Sequence, residues 1–378
     1  MTHQIITRTV PIERTIRVQQ LEGLFDIAPT QRAELQWSVN LPLDAKDWHI
    51  GLVYGPSGCG KTTVARELFP DAYTTGFEWP TGRSIVDGFP KGMPIKDITM
   101  LLSSVGFSTP PAWLRPHHVL SNGEQFRATL ARALAEKPAL CVFDEFTSVV
   151  DRTVGQIGSA AVAKTVRRRG GKFVAVTCHD DVLEWLDPDW VYTPADNSFA
   201  WRSLRGRPSI QLEIARVHHT AWQLFAHHHY LTPALASSAI CFVGFIDGRP
   251  VAFHSYLPFV GRLPGSKAFR GHRSVVLPDF QGVGIGNQMI TSLGSMWVGL
   301  GYRAFRNTGH PAEIAGARRD PAWRMTRAPK INPTGTNPAG QKMAHATNRV
   351  TASFEYIGPR MDRDTAAALL NREVAVAA

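Results

Sequence analysis

The sequence predicts an α/β protein of two domains, and three observations carry that prediction. His49-Ile-Gly-Leu-Val-Tyr54 is a nearly continuous apolar run, the pattern of a strand buried on both faces of a parallel sheet, and it leads into a glycine-rich loop and a helical stretch from Val64 to Leu68. Ala139-Leu-Cys-Val-Phe143 and Phe173-Val-Ala-Val-Thr177 are two more such runs, with a helix-like segment around Ser159 to Arg169 between them, as in parallel strands joined by a crossover helix. The second half alternates strand-like and helix-like segments of its own, and a chain of 378 residues has room for two domains at about 150 residues each.

Taken in order, Thr15-Ile-Arg-Val-Gln19 and Glu34-Leu-Gln-Trp-Ser-Val39 alternate apolar and polar side chains and read as strands with one buried face. Between Pro194 and Pro208 the periodicity dissolves into Pro, Asn, Ser, Gly and Arg, which places a boundary there and gives domains at residues 1–200 and 205–378. The second half then reads as a helix from Ile214 to His229 and strands at Ala239–Phe245 and Val251–Tyr256, joined through the turn residues Asp247-Gly248. A strand at Ser274–Leu277, a helix from Asn287 to Leu300 and a late strand at Ser353–Gly358 complete it.

Composition bounds the function. With 44% hydrophobic and 19% charged residues the chain can bury a sizeable core, which excludes disordered and fibrous classes. The four cysteines Cys59, Cys141, Cys178 and Cys241 form no Cys-x-x-Cys pair, against both a disulfide framework and a zinc ribbon. No stretch approaches the ~18 unbroken apolar residues of a membrane span, and the first residues lack the apolar core of a signal peptide, so a cytoplasmic setting is expected. Residues 1–201 carry 20 Lys and Arg against 22 Asp and Glu, whereas residues 202–378 carry 21 against 9. The net charge of +10 therefore belongs to the second half, which suits a polyanionic partner such as nucleic acid or a phosphorylated cofactor.

Gly55-Pro56-Ser57-Gly58-Cys59-Gly60-Lys61-Thr62-Thr63 follows the apolar strand and opens a helix. Glycines there let successive backbone N–H groups turn onto phosphate oxygens, the helix N-terminus adds its dipole, Lys61 supplies a point charge and Thr62 offers a hydroxyl to Mg²⁺. Downstream come Leu120-Ser121-Asn122-Gly123-Glu124-Gln125, then Phe143-Asp144-Glu145 closing an apolar strand, then Asp151, then Thr177-Cys178-His179-Asp180. In that order and spacing the segments resemble the ATP-binding cassette (ABC) ATPases over about residues 15–195: Walker A, signature, Walker B with its glutamate, D-loop and switch histidine.

The resemblance implies a P-loop ABC-ATPase domain with a parallel sheet and N-terminal antiparallel strands. It implies that Asp144, with Thr62, holds Mg²⁺, that Glu145 orients the attacking water and that His179 contacts the γ-phosphate of ATP. It also implies that Ser121 and Gly123 meet the γ-phosphate bound to a second subunit, hence a homodimer with ATP sandwiched between its halves. Two departures stand out. Asn122 and Glu124 occupy signature positions where the family usually has Gly and Gln, and no glutamine lies between Lys61 and Gln125, so the Q-loop is absent or replaced, Asp87 being the candidate. In transporters that loop couples the ATPase to its membrane partner, so its loss argues for a role outside a transporter.

In the second half, Ser274-Val-Val-Leu277 leads into Gln281-Gly282-Val283-Gly284-Ile285-Gly286 and a helix. Strand, Gln-x-x-Gly-x-Gly, then helix resembles motif A of the GNAT acetyltransferases, over roughly residues 210–360, and implies a GNAT-like α+β domain whose loop holds the pyrophosphate of acetyl-CoA or a related acyl-CoA. The family's tyrosine helix is missing, so acid and base do not carry over; His310, Tyr356 and His254 are the candidates by residue chemistry. His218, His219 and His227-His228-His229-Tyr230 suit either a metal or helix packing. Arg303, Arg306, Arg318, Arg319, Arg324, Arg327 and Lys330, interleaved with Phe305 and Trp323, suit either nucleic acid or the 3′-phosphate of CoA.

The expected function is thus an ABC-type ATPase fused to an acyltransferase acting on a macromolecular, nucleic-acid acceptor. The alternatives are an ATP-dependent nucleic-acid-binding switch with a degenerate GNAT module, and a transporter ATP-binding subunit, which the missing glutamine disfavours.

Overall fold

Local sequence signals set the first elements of the chain. In the computed structural model, which describes residues 2–202, 210–229, 233–259, 267–331 and 350–376, β1 (Thr2–Pro11) and β2 (Arg32–Leu41) pair antiparallel and enclose α1 (Ile16–Phe25). The strand expected at Thr15–Gln19 is thereby corrected. The Thr15 hydroxyl accepts from the Val18 N–H at 3.3 Å and caps a helix, and because no residue of α1 is buried, no sheet face selects the extended form.

The chain continues through β3 (Ile50–Tyr54), α2 (Lys61–Leu68), β4 (Tyr73–Thr74), α3 (Ile95–Ser104), α4 (Pro110–Trp113), α5 (Asn122–Glu136) and β5 (Leu140–Phe143). Then come α6 (Arg152–Arg169), β6 (Lys172–Thr177), α7 (Val182–Leu186), β7 (Trp190–Thr193) and β8 (Ser198–Trp201). The remainder is β9 (Glu213–Val217), β10 (Ile240–Ile246), β11 (Arg249–Pro258), β12 (Ala268–Val276), α8 (Ile285–Gly299), β13 (Arg303–Thr308), α9 (Pro311–Arg319), β14 (Trp323–Ile331), β15 (Val350–Tyr356), α10 (Arg363–Asn371) and β16 (Glu373–Val374).

Packing gathers these elements into two units, each of several segments. Residues 1–77, 136–149 and 163–207 form the first, and residues 78–135, 150–162 and 208–378 the second.

The first unit holds the β1–β2 ribbon and a six-stranded sheet in the order β4-β5-β6-β3-β7-β8, parallel throughout except for the β7–β8 pair. The apolar runs predicted as doubly buried strands are so: Ile50, Leu52 and Val53 of β3 and every residue of β6 after Lys172 are buried. Its core joins Val39, Val53, Val64, Val142, Val174, Val176 and Trp190.

The second unit is built on an eight-stranded sheet in the order β14-β15-β13-β12-β11-β10-β9-β16. The Asp247-Gly248 hairpin forms as expected, both residues adopting positive φ between antiparallel β10 and β11. One sheet face packs Phe242, Tyr256, Phe354 and the α8 residues Met289, Leu293 and Trp297; the other packs Val243, Phe253 and Val275 against Trp222 and Phe225. β12 and β13 are parallel but pair only from Ala268↔Arg303 to Arg270↔Phe305, after which β12 continues along β11 and β13 along β15, so the sheet forks.

The helix expected from Ile214 to His229 is corrected to β9 followed by two short 3-10 turns, His219–Leu224 and Ala226–His228. β9 pairs with β10, and this pairing outweighs a helical pattern that the sequence supports only weakly.

Candidate functional site

Three adjacent parallel strands of the first unit deliver the predicted nucleotide residues to one edge. β3 ends at Tyr54 beside Thr177 of β6, and β5 ends at Phe143 beside Ala175, so the glycine loop, Asp144-Glu145 and His179 all leave from the C-terminal ends of neighbouring strands, where α/β sheets bind ligands. Gly58 and Gly60 have φ of 80° and 94°, and Gly60 caps α2 at its N-terminus, so the loop needs glycine there. A Cβ on Gly60 would also lie 2.4 Å from the Trp37 ring, whose indole N–H donates to the Cys59 carbonyl at 3.0 Å. Gly55 is buried, Ser57 and Thr62 are exposed, Thr63 is half-buried, and the Lys61 ammonium donates to the Pro56 carbonyl at 2.7 Å.

Asp144 is buried, with one carboxylate oxygen accepting from the Tyr73 hydroxyl at 2.5 Å and the other from the Glu145 N–H at 2.9 Å. Burial and the Asp144 carboxylate raise the Tyr73 pKa, so the phenol remains a donor. Glu145 and Thr147 adopt positive φ, 53° and 67°, a conformation that non-glycine residues hold at a cost and that clusters at functional sites. Glu145 is exposed and accepts from the Ser148 hydroxyl at 2.6 Å; His179 Nδ1 meets the Thr147 hydroxyl at 3.2 Å. Trp37 and Tyr73 belong to no motif that sequence reading recognises. Thr62 and Asp144, read as Mg²⁺ ligands, thus lie in one unit with oxygen donors suited to a hard cation.

The signature residues belong to the second unit. Ser121 and Glu124 form a capping box at the start of α5: the Glu124 carboxylate accepts from the Ser121 N–H at 3.0 Å and from its hydroxyl at 3.1 Å. The departure from glutamine thus places a carboxylate over the helix N-terminus beside Gly123. Asp87 accepts from the Ser84 hydroxyl at 2.9 Å within a 3-10 turn, also in the second unit.

The second glycine loop is packed by residues of the inserted segment 78–135. Gln281 accepts from the Ser108 N–H at 2.6 Å and donates to the Val276 carbonyl at 2.8 Å, while a Cβ on Gly282 would lie 2.6 Å from the Gly106 Cα. Gly284, at φ 104°, caps α8, and Gly286 faces Val276. Arg127 of α5 is fully buried and pairs with Asp279 at 3.4 Å, just before the loop. His310 caps α9, with Nδ1 accepting from the Ala312 N–H at 3.3 Å and Nε2 3.3 Å from the Ser108 carbonyl. The Tyr356 hydroxyl donates to the Pro359 carbonyl at 2.8 Å. Both side chains therefore have structural partners.

The His218 and His219 rings lie against each other at a tilt, as do those of His227 and His228, and no cluster of three or more His, Cys, Asp or Glu positioned to hold a metal occurs among the described residues; Tyr230 lies outside them. Of the basic set, Arg318, Arg319, Arg324, Arg327 and Lys330 are exposed, whereas Arg306 is buried. Phe305 and Trp323 are buried as well, with the Trp323 indole donating to Thr291, so the expectation that they stack on bases is corrected: their ring faces are covered by the core.

Over 185 residues the chain is 31% identical to the aliphatic sulfonates import ATP-binding protein SsuB 1 of Streptomyces avermitilis, covering 43% of this chain and 69% of that protein. The chain belongs to the ATP-binding cassette ATPases. Other ABC relatives are the spermidine/putrescine import ATP-binding protein PotA of Pseudomonas fluorescens, 28% identical over 37% of this chain, and the Fe(3+) ions import ATP-binding protein FbpC of Mesorhizobium japonicum, 32% identical over 34% of it. The chain spans 48% and 45% of their lengths, about half of each. No protein-family model matches. A solved dimeric bacterial ABC transporter cassette shares 19% identity at a TM-score of 0.35 over 45% of this chain and 90% of that one. No helix among the described residues is long and apolar enough to cross a membrane.

Proposed function

We propose that this ABC ATPase couples ATP-driven dimerisation to an acyl transfer in its second unit, with an acyl-CoA as donor and a macromolecular polyanion, nucleic acid, as acceptor. The ATP half is supported by the strand-edge convergence of the glycine loop, Asp144, Glu145 and His179. In this reading the backbone N–H groups of Gly58 to Thr62 and the Lys61 ammonium hold the phosphates, and Glu145, exposed beside buried Asp144, orients the attacking water. Thr62 and Asp144 would hold Mg²⁺, which neutralises phosphate charge. Ser121 and Gly123 would complete the site of a second copy.

The observation that carries the acyl half is the forked sheet. β12 and β13 part after Arg270 and Phe305, and the Gln281–Gly286 loop leads from β12 into α8, whose N-terminus suits a pyrophosphate. The exposed strip Arg318, Arg319, Arg324, Arg327 and Lys330 supports a polyanionic acceptor. Calorimetry of the full chain with acetyl-CoA, with and without ATP, tests it. Binding should be saturable and should fall in Gly284→Val, where a branched side chain meets a positive φ. Saturating acetyl-CoA should leave salt-dependent nucleic-acid binding intact.

A second reading is favoured by the packing of Gln281 and Gly282 on residues 106–109: the loop is a joint and the unit an adaptor without cofactor. No acetyl-CoA binding in either state would establish that reading. The import ATP-binding relatives supply a transporter-subunit reading, which co-purification with a membrane fraction would favour.

A further inference from the structure

At the fork of the second sheet lies a group of buried polar side chains that the acyl reading does not use. Arg306 is the first β13 residue past the last parallel pair, and Gly271 holds the matching position on β12. Because Gly271 has no side chain, the His254 ring of β11 packs over it, a Cβ there lying 3.2 Å from His254 Cε1 and Nε2. Tyr256 stands edge-on to His254 at 4.7 Å between ring centres. Arg306 donates through one terminal nitrogen to Asn287 Oδ1 at 3.2 Å, in the first turn of α8, and its guanidinium lies 4.4 Å from the Trp323 ring.

His254, Tyr256 and Arg306 are at most 3% exposed. Both ring nitrogens of His254, the Tyr256 hydroxyl, and Nε and one terminal nitrogen of Arg306 have no hydrogen-bond partner. Arg306 makes no ion pair among the described residues. The carboxylates whose charge reaches it are Glu313 and Asp320, and Asp320 is engaged by the Thr291 hydroxyl and the Ala322 N–H, each at 2.9 Å. Burial and the Arg306 charge push His254 down to about 3, so its ring is neutral and the group as a whole carries one positive charge with several free donors.

A buried guanidinium without a counter-charge is expensive, and orphaned donors beside it add to the cost. A bound oxyanion would remove both penalties, accepting from Arg306 in charge-assisted bonds and from the phenol O–H and the single imidazole N–H.

We propose that Arg306, His254, Tyr256 and Asn287 form a buried site for the oxyanion of a small ligand, a carboxylate or phosphate, at the fork of the sheet. The site stands on these side chains alone and does not require the acyl-CoA reading. Where both hold, the oxyanion belongs either to an acyl donor bearing a second carboxylate or to the acceptor.

Thermal denaturation of the full chain in sodium malonate, inorganic phosphate or sodium chloride at matched ionic strength tests it. Malonate or phosphate is expected to raise the melting temperature saturably over chloride, with half-saturation about tenfold weaker in Arg306→Met. Tyr256→Phe, which removes only the unpartnered hydroxyl and keeps the ring in the core, should weaken the same effect. Malonate without phosphate assigns a carboxylate, and the reverse a phosphate. Tighter binding of malonyl-CoA than acetyl-CoA, lost in Arg306→Met, places the anion on the donor; equal binding, with malonate still stabilising the acetyl-CoA complex, places it on the acceptor. No saturable shift with either anion overturns the site. Failure of every CoA ester to bind while malonate still stabilises would count against the acyl reading alone.

Discussion

Two segments of this chain share one local design, a strand, a glycine loop and a helix, yet their surroundings differ. In Gly55–Thr63 the central residues Pro56, Ser57 and Gly58 are exposed, and the close neighbour of Gly60 is the Trp37 side chain. In Gln281–Gly286 the glutamine is hydrogen-bonded to Ser108, and the close neighbour of Gly282 is the backbone of Gly106. The first loop leaves its central residues exposed; the second uses part of its surface to hold the inserted segment. Glycine spacing alone therefore says that a backbone must come close to something, and the tertiary structure says which part of the chain lies against it.

The largest effect is expected at the end of β5. Glu145→Gln should lower ATP hydrolysis at least about a hundredfold while leaving ATP binding intact, and should accumulate a dimer in Mg-ATP, as read by a phosphate-release assay and light scattering. Retained hydrolysis would remove Glu145 from its role.

Gly60→Ala and Gly282→Ala separate the two loops. Both put a side chain at positive φ, but Trp37 can swing aside whereas the Gly106 backbone cannot, so Gly282→Ala is expected to cost about 3 kcal/mol or more and Gly60→Ala about 1 to 2 kcal/mol, with nucleotide binding lost in the latter. Denaturant unfolding that ranks the two the other way would contradict the packing of the second loop.

Acid should act on the second unit through His254. Its folded pKa, about 3, lies below the unfolded value, so the unfolded state binds more protons as pH falls below about 6.5. Its contribution is fully present above about pH 6.5 and declines by about 2 kcal/mol by pH 5, a slope that His254→Phe should reduce in pH-dependent melting.

The smallest effect is Gln281→Ala, which leaves the Ser108 N–H without its partner and should cost about 1 to 2 kcal/mol, again by denaturant unfolding.

The sequence by itself determined the local design of the proposed nucleotide site, because each motif there is contiguous and depends on neighbours in the chain: the apolar strand, the glycines at positive φ, the helix after Lys61, the Asp144-Glu145 pair at a strand end. It likewise determined the hairpin at Asp247-Gly248, where backbone conformation selects the residues. It did not determine the helix at Thr15–Gln19, where one cap outweighs a short alternation, nor the strand at Glu213–Val217, which exists because β10 lies beside it. The tertiary structure alone decided that Trp323 and Phe305 are core, that Tyr73 holds Asp144 and Trp37 the first glycine loop, and that residues 78–135 pack with the second sheet. Those facts rest on contacts between residues as far apart as Ser108 and Gln281, and no local pattern encodes a partner 173 positions away. Arg306 shows the same limit. In the sequence it is one arginine of a basic set, and only the parting of β12 and β13 turns it into a buried charge awaiting a counter-ion.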